Sequence, residues 1–208
     1  MDTSRKLYEI ELIIAKSREF DYTKKLVVFN VNGISDVLQI WHECDVLVCT
    51  NTGYLTEIEI KRSYADFLND FEKKHTHWSS YIKNFYYCVP FKIKDKVINY
   101  LNSIENKNDW RATAGVMVFY EDYDWIDIVR GPAVNGKCQK LSIEQKLYLA
   151  RLGNMRVITL KKKVLRIEKE IEEQLNKKES LWKTLRSIFS KESNRQISLL
   201  NVEVCITL

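Results

Sequence analysis

Between Glu43 and Phe67 the chain reads ECDVLVCTNTGYLTEIEIKRSYADF, the stretch that most narrows what the chain can fold into. DVLVCT and YLTEIEIK are strand-like apolar runs on either side of Asn51-Thr52-Gly53, and Gly53 can take the positive φ that a tight hairpin turn needs. Residues two apart on a strand point the same way, so Glu57, Glu59 and Lys61 share one face while Ile58 and Ile60 take the other. A hairpin turning here sets Asp45, at the start of the first strand, across from Glu59 to Lys61. Two carboxylates and an ammonium group then share one small patch. Charges alternating along a strand usually form a solvated face with weak cross-strand pairs. The patch also suits chemistry. Neighbouring carboxylates repel unless a cation lies between them, and a hard divalent ion such as Mg²⁺ takes such oxygen ligands. A metal and an ammonium group at one phosphate are the means of phosphodiester hydrolysis.

The sequence around this hairpin alternates helix and strand. Residues 4 to 19 read as a helix with Leu7, Ile10 and Ile14 on its apolar stripe; Glu11 borders that stripe and Glu9 points away from it. KLVVFNVNG predicts a strand over 25 to 33, and residues 34 to 42 a loop or short helix. Ser63 and Asp66 form a capping pair that opens a helix through YADFLNDFEKKH, with Phe67, Leu68 and Phe71 on its buried side. FYYCVPF is a strand, residues 92 to 104 a helix, and AGVMVFY another strand. This order, α-β-β-β-α-β-α-β, predicts an α/β fold with a mixed sheet flanked by helices. Beyond it lie a loop-rich stretch from Asp122 to Lys140, a short helix over 142 to 151 and a strand at MRVITL. A long charged helix runs from Lys161 to about Phe189, and the alternating tail NVEVCITL predicts a final strand. The alternating body is thus residues 1 to 160, followed by an appendage over 161 to 208. The stripe Val164, Ile167, Ile171, Leu175, Trp182, Leu185 and Phe189 either packs on the protein's own body or pairs two chains as a homodimer.

Composition limits the rest. With 45% hydrophobic residues the chain of 208 can build a real core, and no apolar run is long enough to span a membrane. A net charge of +5 permits a nucleic-acid partner without requiring one. His42 and Cys44, or His75 and His77, are conceivable metal ligands, yet no CxxC pair accompanies them. They are expected to be structural or solvent-facing, and the five cysteines to be reduced thiols of a cytoplasmic protein.

Asp45, then Glu59-Ile60-Lys61, then Ser63 opening a helix, resembles the PD-(D/E)XK nuclease superfamily. EIEIKRSYADFLNDFEKKH resembles more closely the small DNA-repair endonucleases related to MmcB, where E-x-E-I-K-x-S-x-x-D-F-x-x-D follows an acidic hairpin strand. The likeness covers roughly residues 5 to 160. It implies a restriction-endonuclease-like sheet and a Mg²⁺-dependent endonuclease, with Mn²⁺ a possible substitute, acting on DNA in repair, recombination or defence. RNA uses the same chemistry. It further implies that Asp45, Glu59 and the Ile60 carbonyl bind the metal and that Lys61 is the catalytic lysine. A first-helix glutamate joins them, Glu11 in preference to Glu9. Asp45 follows Cys44, where the superfamily's name has a proline. Glu57 is an extra carboxylate on the metal face, read chiefly as a cross-strand partner for a lysine. Lys73, Lys74, Arg156 and Lys161 are weaker candidates for phosphate contact. The competing reading is a non-catalytic nucleic-acid-binding or assembly protein on the same fold.

Overall fold

A computed structural model describes residues 3–32, 35–73, 77, 79–106 and 109–206; the side chains of residue 35 and of 187–206 lie outside the description. Strands β1 (Leu26–Val31), β2 (Cys44–Cys49), β3 (Leu55–Ile60), β4 (Ile82–Pro90), β5 (Gly115–Phe119) and β6 (Ile126–Arg130) form one six-stranded sheet in chain order. The first three strands are antiparallel, β4 and β5 run parallel to β3, and β6 is antiparallel to β5. Helices α1 (Leu7–Lys16), α2 (Ser35–Leu38), α3 (Tyr64–Asn69) and α4 (Lys94–Ser103) surround it; α3 and α4 are the crossovers that let β3, β4 and β5 run parallel. The architecture is a mixed α/β fold.

Each face of the sheet buries its own apolar layer. Ile10, Ile13 and Ile14 of α1 pack with Phe20 against Val46, Ile58, Cys88, Met117 and Phe119. On the other face Phe67, Val97 and Leu101, from α3 and α4, pack with Leu47, Leu55, Tyr87 and Val118. β3 lies between the two layers and all six of its residues are buried. Ile58 and Ile60 therefore enter the α1 layer, while Glu57 and Glu59 enter the layer that α3 and α4 close. The predicted cap is present: the Ser63 hydroxyl accepts the Asp66 N–H at 3.0 Å, and the Asp66 carboxylate accepts that of Arg62 at 3.1 Å.

The C-terminal half departs from expectation. Residues 122–140 include β6, an edge strand of five residues whose alternation is short. A single helix, α5, runs from Ile143 to Ile206, replacing both the strand expected at MRVITL and the final strand expected at NVEVCITL. Neither glycine nor proline occurs after Gly153, so nothing stops a helix once nucleated, and propagation overrides the local β-branched and alternating patterns. Residues 207 and 208 lie outside the described residues. The chain divides into two compact units, Met1–Arg156 and Val157–Leu208, the described part of the second being the remainder of α5. No described helix is long and apolar enough to cross a membrane.

Gly115 tests the β4–β5 packing. It is the register partner of Tyr86, and a Cβ there would lie 2.5 Å from Tyr86 Cδ1 and 3.0 Å from the Arg130 carbonyl. Gly115→Ala should lower stability by about 1–3 kcal/mol, the usual scale for overpacking, read as a shift of the chemical-denaturation midpoint at unchanged slope.

Candidate functional site

The hairpin places Asp45 beside Glu59, as its spacing predicts. Val46 partners Ile58 and Leu47 partners Glu57. One step further out the ladder gives way to a side chain: Asp45 Oδ2 accepts the Ile60 N–H at 2.7 Å. The aspartate is thereby fixed at the mouth of the hairpin. Its neighbour on β1 is Asn30, which stands between the Phe29–Val46 and Val31–Cys44 partners with φ 50°. Asparagine tolerates that left-handed backbone better than most residues. Its amide donates to Glu11 Oε1 at 2.8 Å, which holds the buried Glu11 in place. Glu9 has another task, since its carboxylate accepts the Lys6 N–H at 2.8 Å at the start of α1. Asp45, Glu59 and Lys61 are therefore gathered at the mouth of the hairpin, and Glu11 of α1 reaches the Asp45 side of that group through Asn30.

Lys61 is almost wholly buried, 2% exposed, and its ammonium donates to Glu59 Oε1 and to Asp70 Oδ1, both at 2.8 Å. Asp70 stands directly after α3 and also accepts the Tyr87 hydroxyl at 2.8 Å. Lys73 reaches Asp70 Oδ1 at 2.8 Å and Glu59 Oε1 at 3.9 Å from a more exposed position. Glu59 Oε2 is buried and has no hydrogen-bond partner among the described residues.

Glu57 is enclosed by histidines. His42 Nε2 lies 2.6 Å and His77 Nδ1 2.5 Å from Glu57 Oε1, and His77 Nε2 lies 3.1 Å from Asp70 Oδ2. All four side chains are buried. The expectation that Glu57 pairs with a lysine is thus corrected: the nearby lysine is taken by Glu59 and Asp70, and the histidines fill the space behind β3. The solvent-facing reading of His42, Cys44 and His77 is corrected too, because residues far apart in sequence meet there. His75 lies outside the described residues.

Electrostatics separates the carboxylates. Burial, with opposition from the Ile60 N–H and Lys61, pushes Asp45 up to about 6. Burial and the Asp45 charge push Glu59 up to about 7. Burial also raises Glu11. Burial works against ionisation of Glu57 as well, but His77 and His42 outweigh it and hold Glu57 down at about 2. Burial alone would lower the Lys61 pKa; Glu59 and Asp70 raise it above its ordinary value. Lysine thus stays charged while Asp45 and Glu59 resist carrying two negative charges. Two oxygen ligands in that condition, one with an unpartnered buried oxygen, fit a hard divalent cation, which would take the place of a proton.

The other predicted contacts lie elsewhere. Arg156 donates to the Asn30 carbonyl at 3.0 Å and to Glu43 at 3.2 Å, so it braces the end of β1. Lys161 is exposed on α5 in the second unit, and Lys74 is outside the described residues. The sequence reading missed Asp70, and it named His42 and His77 as conceivable ligands without foreseeing that they meet at Glu57. Asp70 closes the motif E-x-E-I-K-x-S-x-x-D-F-x-x-D, which was the available signal; the spacing of the histidines carried none.

No protein-family model matches the chain, and no curated protein matches it. Among solved structures it is similar to the SPO1766 protein of unknown function from Silicibacter pomeroyi, at 16% identity and a TM-score of 0.48, over 80% of this chain and 92% of that one.

Removing the Lys61 ammonium leaves Glu59 and Asp70 buried without their shared cation. Lys61→Ala should therefore cost about 3–5 kcal/mol in denaturant unfolding, a typical penalty for breaking a buried ion pair. Asp45 and Glu59 predict a pH dependence. Their folded values, about 6 and about 7, lie above the ordinary 3.8 and 4.5, so the folded chain holds more protons than the unfolded one. That stability is complete below the unfolded values of 3.8 and 4.5, is lost progressively as pH rises above them, and is gone once pH has passed the folded values of about 6 and about 7. In the presence of chelator, the melting temperature should fall across this window, and Asp45→Asn should flatten the fall.

Proposed function

We propose that the protein is a divalent-metal-dependent hydrolase of phosphodiester bonds, an endonuclease of the PD-(D/E)XK type that acts on DNA in repair, recombination or defence. The observation that carries this reading is the joint placement of Asp45, Glu59 and Lys61. Asp45 is locked by the Ile60 N–H, Glu59 offers a free buried oxygen, and a charged lysine lies 2.8 Å from the same glutamate. A divalent cation bound to the two carboxylates supplies Lewis-acid activation of the phosphoryl group and of water.

The chain's own residues do the rest. Asp45 is the partly exposed member of the set, so the approach for cation and phosphate is from its side. Lys61 holds positive charge beside Glu59, where negative charge grows on the scissile phosphate, and its two carboxylate partners fix its position before substrate arrives. Lys73, 42% exposed, is the cation a phosphate would engage first, drawing it from Asp70. Glu11 completes the group and adds charge that Asn30 holds in place.

A second reading rests on the burial of Lys61. At 2% exposure, a lysine closed between two carboxylates also serves a structural role in a non-catalytic nucleic-acid-binding or assembly protein. In that case the exposed Ile167, Ile171, Leu175 and Trp182 of α5 would join two chains.

Asp45→Asn separates the two, because an amide oxygen can still accept the Ile60 N–H and spare the fold. With supercoiled plasmid and labelled single-stranded, flap and junction DNA, Mg²⁺ or Mn²⁺ should support cleavage that EDTA abolishes. The substitution should reduce it roughly 100-fold or more, since loss of the metal removes several kcal/mol of transition-state stabilisation. Folded protein that cuts none of these DNAs, or an Asp45→Asn variant as active as the parent, would sink the nuclease assignment.

A further inference from the structure

Behind β3 four side chains of metal-ligating type meet: His42 and Cys44 around the start of β2, Glu57 in the middle of β3, and His77 from the segment before β4. His42, Cys44 and Glu57 each present a ligand atom within 4.8 Å of the others, as do Glu57, Glu59 and His77, and all five are buried. Cys44 Sγ lies 3.5 Å and His77 Nδ1 2.9 Å from His42 Nε2. Both ring nitrogens also stand 2.5–2.6 Å from the same Glu57 oxygen.

Protons fit this geometry poorly. Two ring nitrogens 2.9 Å apart that both donate to one oxygen bring their own N–H groups together, while the other Glu57 oxygen is buried without a partner. A cation at the centre resolves the conflict, since each nitrogen then offers a lone pair. His77 is already oriented for that role. Its Nε2 faces Asp70 Oδ2 at 3.1 Å, and a carboxylate that accepts Nε2–H leaves Nδ1 as the ligating lone pair, the carboxylate–histidine–metal arrangement.

We propose that His42, Cys44, Glu57 and His77 form a buried structural site for a borderline-soft transition metal, zinc above all, adjacent to the hard-cation site at Asp45 and Glu59. Two imidazoles, a thiolate and a carboxylate match zinc's ligand set and its four-coordinate preference, and they do not suit Mg²⁺. Zinc bonds of about 2.0–2.3 Å place ligand atoms roughly 3.3–3.8 Å apart, so on binding the crowded His42, His77 and Glu57 atoms move apart while Cys44 and His77, which share no 4.8 Å group, draw together. A cleft of about 200 Å³, lined by His77, Phe85, Trp110 and Asn135, leaves an approach to the cluster. Bound there, zinc ties the segments carrying His42 and His77 to β3 and fixes Asp70, the partner of Lys61. The site does not depend on the nuclease reading.

The test uses the full chain, purified without chelator for elemental analysis, then stripped and titrated with Zn²⁺ and Co²⁺. One zinc per chain is expected, with one equivalent of Co²⁺ giving a tetrahedral visible spectrum and a thiolate-to-cobalt charge-transfer band. Cys44→Ser should remove that band, while Cys138→Ser keeps it. Asp70→Asn should weaken Zn²⁺ affinity about 10–100-fold, as loss of a carboxylate behind a metal-binding histidine does. Asp45→Asn, the variant that tests the nuclease, should leave Zn²⁺ uptake unchanged, so the two ideas fail separately. Stripped protein that stays folded yet takes up no stoichiometric Zn²⁺ or Co²⁺ would overturn the site. So would cobalt uptake without a thiolate band and unaltered by Cys44→Ser. Should Cys44→Ser fail to fold, the presence or absence of one equivalent of cobalt with a thiolate band in the parent decides the matter.

Discussion

The carboxylate of Asp70 holds the interior of this fold together. It is buried and accepts from Lys61, Lys73, Tyr87 and His77 at 2.8–3.1 Å. Those donors come from the end of β3, the turn after α3, β4 and the segment before it, so one residue joins the crossover to both of the strands it connects. Burial opposes its ionisation, yet His77 and Lys61 hold it well below the usual carboxylate range. Buried charge of this kind costs much desolvation and gives little net stability over an apolar replacement. What it confers is geometry: with Asp70 in place, Lys61 and His77 each have one position available.

The need for such a network follows from β3 itself. A strand buried on both faces ordinarily carries apolar residues throughout, as neighbours of a parallel pair do. β3 instead places Glu57 and Glu59 inward on one face, with Ile58 and Ile60 on the other. Both glutamates are buried, so every charge must be met by a partner or left protonated. The two solve this differently. Glu57 meets two histidines and stays ionised, whereas Glu59 shares one lysine, faces Asp45 and resists ionisation. Adjacent same-face positions on one strand thus have opposite proton affinities.

The first half of the fold was legible because its signals are local. A hairpin turn around Gly53, a serine cap at Ser63 and alternating helix and strand runs each depend on neighbours within a few residues, and each is present. Asp45 opposite Glu59 follows from hairpin register alone. The tail misled for the same reason. Val202, Val204 and Ile206 alternate as a strand does, but what decides their state is a helix begun sixty residues earlier with nothing to end it. The meeting of His42 and His77 was illegible for a different cause. They are 35 residues apart and meet only once β2, β3 and β4 have assembled, so neither periodicity nor spacing encodes the contact. One clue was present: a glutamate in the middle of a strand whose neighbours are apolar demands a buried partner, and lysine, arginine and histidine are the residues that supply one.

The two candidate cation sites divide by ligand chemistry along β3. Toward its end, Glu59 and Asp45 offer oxygen only, beside the partly exposed rim of the hairpin, where a hydrated ion can keep some of its waters. Two residues earlier, Glu57 is fully enclosed with nitrogen and sulfur ligands, where an ion must shed its waters and bind through the protein alone. Two cations so near each other would repel. Asp70 is bonded to His77 on one side and to Lys61 on the other, so its negative charge stands beside both candidate sites. The same carboxylate that orders the interior would therefore let a proposed hard site and a proposed soft site share one strand.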